Sequence, residues 1–198
     1  MSDSRQRLID ASTRLFLGGS FHKIGIAEIC TEADVNKGTF YHFFPSKLEL
    51  LLEVIDLYAS EMFAKLDDLA KSDVSPAQKL RGIFLVPQRD NEAWKAEHGS
   101  APGCFLGNVI LELAANEPDV RTKAKAALGR WNAAIVPIVE EFFKAEKIYN
   151  LDAKDVAEIL IGMAQGANVM AKAKNDPKVF RAYAKLAVEL IRAVANPR

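Results

Sequence analysis

The chain has 198 residues with 26 basic and 26 acidic side chains, so its formal net charge is zero and no overall field draws it to a polyanion. Its two cysteines, Cys30 and Cys104, fit neither a disulfide framework nor a metal-ligand spacing, so no metal or cofactor is expected. With no apolar run of membrane-spanning length and no signal-peptide core in Met-Ser-Asp-Ser-Arg-Gln-Arg, the expected setting is a reducing cytoplasm without membrane attachment.

The length admits one or two domains with a sizeable core, and strand signals are missing throughout. A helix starting near Ser4 buries Leu8, Ile9, Ala11, Leu15 and Phe16 and ends at Gly18-Gly19. Ile26, Ile29, Cys30 and Ala33 then fall at i, i+3, i+4 and i+7, one apolar face of a short helix. Gly25 can cap this helix through its permissive backbone. Asp34 breaks it, since Asp tolerates the left-handed backbone of a tight turn, and Val35 plugs that turn. Asn36 is a good N-cap for a second short helix over Lys37-Gly38-Thr39-Phe40-Tyr41-His42-Phe43, whose aromatic residues alternate between core and surface.

This pattern is a helix-turn-helix, and its second helix suits a major groove. Lys37, Thr39, Tyr41, His42 and Lys47 lie in a stretch without an acid. Lys and Thr can reach base edges, Tyr and Lys can donate to phosphate oxygens, and Gly38 allows close backbone approach. The first fifty residues are balanced in charge, so affinity for DNA must come from where the cations sit.

Ser46-Lys47-Leu48-Glu49 predicts a capped long helix to about Lys71, with Leu50, Leu51, Val54, Ile55, Tyr58 and Phe63 on its apolar side. Ser75-Pro76 opens the next helix, which Pro87 should kink or end. Residues 89–103 read as a partly helical connection anchored by Trp94. Four helices follow, at about 103–115, 118–147, 152–174 and from Asp176-Pro177 to about Val194, with a bend expected at Pro137. Phe84, Trp94, Phe105, Asn108, Trp131, Gln165, Asn168 and Met170 would line a mostly apolar ligand cavity with a few polar handles. On the last two helices Ile159, Met163, Ala167, Met170, Tyr183, Leu186 and Leu190 offer a pairing surface, with Gly162 and Gly166 permitting close approach. A reader with one short recognition helix gains most of its affinity by pairing, so a homodimer is expected.

The string Lys-Gly-Thr-Phe-Tyr-His-Phe-Phe-Pro-Ser-Lys resembles the signature of the TetR family of bacterial regulators. The resemblance implies an all-α fold: an N-terminal three-helix helix-turn-helix domain over 1–47, then a helical ligand-binding and dimerisation bundle over 48–198. It implies a dimer that binds double-stranded operator DNA and is released by a small-molecule effector. By position, Lys37 and Thr39 resemble base-reading residues, Tyr41 and Lys47 phosphate clamps, and His42 either. Two departures stand out: Ile24-Gly25 replaces a usual Thr-Thr pair, and Ala33-Asp34 a usual Ala-Gly.

Cys104, in Ser-Ala-Pro-Gly-Cys-Phe-Leu-Gly-Asn, falls at the expected first turn of a helix, where exposed amides favour a thiolate, while its apolar neighbours favour a buried thiol. Both readings stand. Together with Gly166-Ala-Asn-x-x-Ala-Lys172 and the two departures, this stretch is similar to a subgroup that includes N-ethylmaleimide-responsive and acrylate-responsive repressors. That resemblance implies a thiol sensor at Cys104 with Lys172 as its partner. Catalysis through Cys104 and His98 is not expected, for no orienting acid or oxyanion motif accompanies them. A DNA-binding protein acting through a protein partner is the remaining alternative.

Overall fold

The computed structural model describes residues 2–195, and among these the regular elements are all helical. The chain folds as α1 (Ser2–Gly18), α2 (Ile26–Glu32), α3 (Lys37–Phe43), α4 (Lys47–Lys71), α5 (Pro76–His98), α6 (Phe105–Leu113), α7 (Pro118–Glu146) and α8 (Ala153–Lys174). A 3-10 turn, Pro177–Val179, then leads into α9 (Phe180–Ala195). Two compact units result, Met1–Ala59 with Phe105–Ala127, and Ser60–Cys104 with Leu128–Arg198. The first unit therefore runs past residue 47, the expected boundary, and takes in α6 and the start of α7.

In the first unit, Leu8, Phe16, Ile29, Phe40, Phe44, Leu50 and Ile55 form the core. Each of the larger side chains contributes about 1.5–3 kcal/mol by leaving water. The turn between α2 and α3 closes as its residues require. Asp34 adopts φ 50, its amide bonds to Thr31 O, and the Val35 amide bonds to Cys30 O, which together satisfy the last carbonyls of α2. Asn36 caps α3 by accepting from the Thr39 amide at 2.8 Å, a bond worth about 1 kcal/mol. Ser46 caps α4 through the Glu49 amide.

The second unit is a bundle in which α5 packs chiefly along α9, with α8 alongside both. Its core includes Leu80, Ile83, Phe84, Trp131, Ile138, Phe142, Leu160, Phe180 and Val188. Of the two outcomes expected at Pro87, a kink or an end, the helix does not end there. The helix runs on to His98 and stops at Gly99, whose φ is 81. A proline removes one helical bond at a cost of about 3 kcal/mol. Ile83, Phe84 and Val86 before it and Gln88 and Asn91 after it are all buried, and continuing the helix keeps that face packed. Residues 89–98 are accordingly helix and 99–104 are not, in keeping with the partly helical connection expected over 89–103. α7 is likewise continuous through Pro137. No helix of the described residues is long and apolar enough to cross a membrane.

Candidate nucleic-acid interface and thiol cluster

On α3 the buried ring of Phe40 fixes the helix to the core and turns Lys37, Gly38, Tyr41 and His42 outward, with Thr39 half-buried beside them. Tyr41 is 56% exposed although its ring leans edge-on against Phe40 at 5.3 Å. A large aromatic ring left this open at the end of a short helix keeps its hydroxyl available to a partner. The Thr39 hydroxyl donates to Asn36 Oδ1 at 3.2 Å, which leaves its oxygen free to accept. Gly25 takes extended backbone at the N-cap of α2 without a side-chain bond.

Lys47 is used inside the protein, unlike the clamp the resemblance implies. Its ammonium donates to Phe21 O and Ile24 O, both at 2.7 Å, and lies 4.1 Å from the Phe21 ring centre. Burial pulls this lysine below its ordinary pKa, and nearby Glu112 partly opposes that. Glu112, on α6, grips the same loop from its amide side. It accepts from the Ser20 hydroxyl at 2.6 Å and from the Phe21 and His22 amides at 3.1 Å each. Burial alone would raise the Glu112 carboxyl, but the Ser20 hydroxyl and the His22 and Phe21 amides together hold it below the usual carboxylate value. The loop before α2 is thus held by an anion on its N–H groups and a cation on its carbonyls. Nothing local announces Glu112, because its partners lie about ninety positions away.

In the second unit the expected cavity residues divide. Phe84, with 0% exposure, and Trp131, with 4%, are core. Trp94 is half-buried and stacks on His98 at 3.8 Å, while the His98 ring meets Trp94 O and faces solvent. Phe105, fully buried, and half-buried Asn108 sit on α6 in the first unit. Cys104 immediately precedes α6 and is buried, and Gln165 Nε2 donates to its sulfur at 3.5 Å. Lys172 stands in the last turn of α8, exposed, two turns or about 10 Å of helix beyond Gln165.

What positions the thiol segment is Asn91, which sequence reasoning passed over. Its amide group donates to Pro87 O at 2.9 Å, to Gly103 O at 3.3 Å and to Asn168 Oδ1 at 3.1 Å, and its oxygen accepts from the Gly103 amide at 3.0 Å. Asn175, left-handed at φ 49, holds the other end through the Ala101 amide and Gly99 O. Asn168 is therefore a satisfied part of this network. A signal for Asn91 was present: it follows Phe84 by seven residues on the buried face of α5, where a polar side chain must find partners.

The pairing face needs one correction. Ala167 is fully buried within the protomer, since it lies on the side of α8 turned to the core. Tyr183 is half-buried and stacks on Phe84 at 6.5 Å, and Met163 is half-buried. Ile159, Met170, Leu186 and Leu190 are exposed in the protomer, and so are Val169 and Val194. Open space surrounds Gly162 and Gly166, where an added Cβ would meet nothing within 4 Å.

Residues 8–54 match the family model described as bacterial regulatory proteins, tetR family, and residues 88–187 match that of the tetracyclin repressor-like C-terminal domain. The chain belongs to the TetR family of bacterial regulatory proteins. It is a DNA-binding transcription regulator, and its helix-turn-helix is the family's reading head. Its relatives include the transcriptional regulator AcuR of Cereibacter sphaeroides, 32% identical over 140 residues that span 70% of this chain and 62% of AcuR. The HTH-type transcriptional repressor NemR of Escherichia coli is 22% identical over 86% of this chain and 84% of its own. Among solved structures, a regulatory protein TetR from Rhodobacter sphaeroides superposes with a TM-score of 0.81 at 28% identity, covering 94% of this chain and 97% of that one.

Proposed function

We propose that the protein is a homodimeric repressor that reads a duplex operator with α3 and leaves it when a small molecule or electrophile acts on the second unit. The observation that carries this reading is the outward face of α3. Lys37, Tyr41 and His42 project from a helix pinned by buried Phe40 and capped by Asn36, with no acid between Asp34 and Glu49. Lys37 and Thr39 read base edges, while Tyr41 and His42 donate to phosphates.

The exposed apolar side chains of α8 and α9, Ile159, Val169, Leu186, Leu190 and Val194 among them, support pairing, because covering them with a second copy removes them from water. Release follows as a population shift. The effector favours a dimer whose two reading helices no longer match successive major grooves. Cys104 is the candidate point of action, with Gln165 donating to its sulfur. Its relationship to NemR and AcuR supports looking there first.

The test is a gel-shift titration on a duplex selected by the protein from a randomised pool, with and without N-ethylmaleimide. The parent should bind and be released by the reagent, while Cys104→Ser should bind and resist it. Cys30, whose thiol burial pushes upward in pKa, should label more slowly than Cys104. Release of Cys104→Ser equal to that of the parent would remove the thiol from the mechanism and leave a non-covalent effector.

A further inference from the structure

Asp34 does more than its turn asks. The backbone there needs a residue that tolerates φ 50, and Gly or Asn would meet that need without a charge. An acid at the edge of a DNA-reading face repels phosphate, so its presence calls for a separate account.

The Asp34 carboxylate faces Arg7 of α1. Arg7 Nη1 donates to Asp34 Oδ2 at 3.3 Å and Nη2 to the Ser4 hydroxyl at 3.3 Å. Arg7 Nε lies 3.7 Å from Asp3 Oδ2, and although enclosed it makes no hydrogen bond among the described residues. The guanidinium is therefore anchored at its base but incompletely bonded, and its main charged partner has a side chain 97% exposed to water. Such a solvated pair is weak, worth less than about fivefold in any equilibrium. A phosphate, which takes a guanidinium in a planar two-point grip, is the stronger partner.

The location matches that chemistry. Arg7 and Asp34 line one open depression of about 570 Å³ together with Thr31, Asn36 and Thr39. Asn36 caps the reading helix and Thr39 is among its reading residues, so Arg7 borders the same depression as the reading face.

We propose that Arg7 contacts a DNA phosphate in the bound state and that Asp34 competes for it, holding Arg7 paired in the free protein and lowering affinity for DNA. On binding, the guanidinium exchanges a solvated carboxylate for a backbone phosphate. Asp34 then costs affinity on every duplex, which suppresses non-specific binding to the many competing sites of a genome. This rests on the reading of α3 as a duplex-binding helix.

The experiment measures fluorescence anisotropy on the selected duplex and on a scrambled one, from 50 to 200 mM salt. It compares the parent with Asp34→Asn, Arg7→Met, Arg7→Lys and the Asp34→Asn/Arg7→Met pair. Arg7→Met keeps the aliphatic stem that packs along α1, and Asn keeps the left-handed turn. Arg7→Met should reduce the salt slope by about one per half-site, near two for a paired protein, and Arg7→Lys should restore most of it. Asp34→Asn should tighten both duplexes by about three- to tenfold at 100 mM salt, and that gain should fall by more than half in the Arg7→Met background. An unchanged slope in Arg7→Met, or an Asp34→Asn gain indifferent to Arg7, overturns the proposal and leaves the pair as a tie between α1 and the turn. Should the parent enrich no duplex from the pool, it is the DNA-binding reading itself that fails.

Discussion

Replacing Asn91 with leucine removes four hydrogen bonds from the interior of the second unit while keeping side-chain volume close. The Gly103 amide and the Asn168 side-chain oxygen lose the partner that satisfies them in a buried setting. An abandoned buried polar group costs about 1–3 kcal/mol, so the pair predicts a loss of about 2–6 kcal/mol, a large share of the 5–15 kcal/mol that holds a typical protein folded. Urea unfolding of parent and mutant at one fixed protein concentration measures it, since pairing makes stability concentration-dependent. The same substitution frees the segment next to Cys104, so N-ethylmaleimide should label that thiol faster in the folded mutant than in the parent. Asn91→Asp, protonated at acid pH, keeps an acceptor for the Gly103 amide and has one O–H donor in place of two N–H groups, so it should fall between the two there. A loss under about 1 kcal/mol in Asn91→Leu would refute the reasoning, because it would mean these groups find other partners at no cost.

Three further outcomes follow from the same contacts. Lys37→Ala should lose about 1–3 kcal/mol of operator binding with relaxed preference at one base position, whereas Tyr41→Phe should weaken all sequences alike; equal losses across single-base operator variants in both would take Lys37 out of base reading. Leu186→Glu places a charge on the exposed pairing face and should shift the protein to a monomer of unchanged helicity by sedimentation velocity, while Ala167→Arg should unfold the protomer instead, its site being closed. Retention of a Leu186→Glu dimer at micromolar concentration would place the interface elsewhere. Glu112 has its carboxyl held below the ordinary value, so its stabilisation is complete above about pH 4.3 and is lost as pH falls through the lower folded-state value. Glu112→Gln should therefore be less stable than the parent near neutrality and converge with it in acid; melting curves that stay parallel from pH 7 to pH 3 would remove Glu112 from the acid response.

The reading head was legible in the sequence because its determinants are local. The apolar spacing of Ile26 to Ala33, the left-handed tolerance of Asp34 and the Asn36 cap each act within a few residues, and each appears in the structure. Helix ends were legible for the same reason, as at Ser75 and Asp152, where a side chain meets amides two or three positions on. Pro87 and Ala167 were not legible. At Pro87 a local preference opposes the packing of a whole helix face, and only the neighbours of that face decide which wins. At Ala167 periodicity shows that α8 has apolar residues but not which of them the protomer itself covers. The polar contacts that set the sites lie furthest from sequence reasoning. Glu112 on the loop before α2, Asn91 on Asn168 and Gln165 on Cys104 join residues more than sixty positions apart, and short-range hydrogen bonds between such groups exist only once the helices have packed.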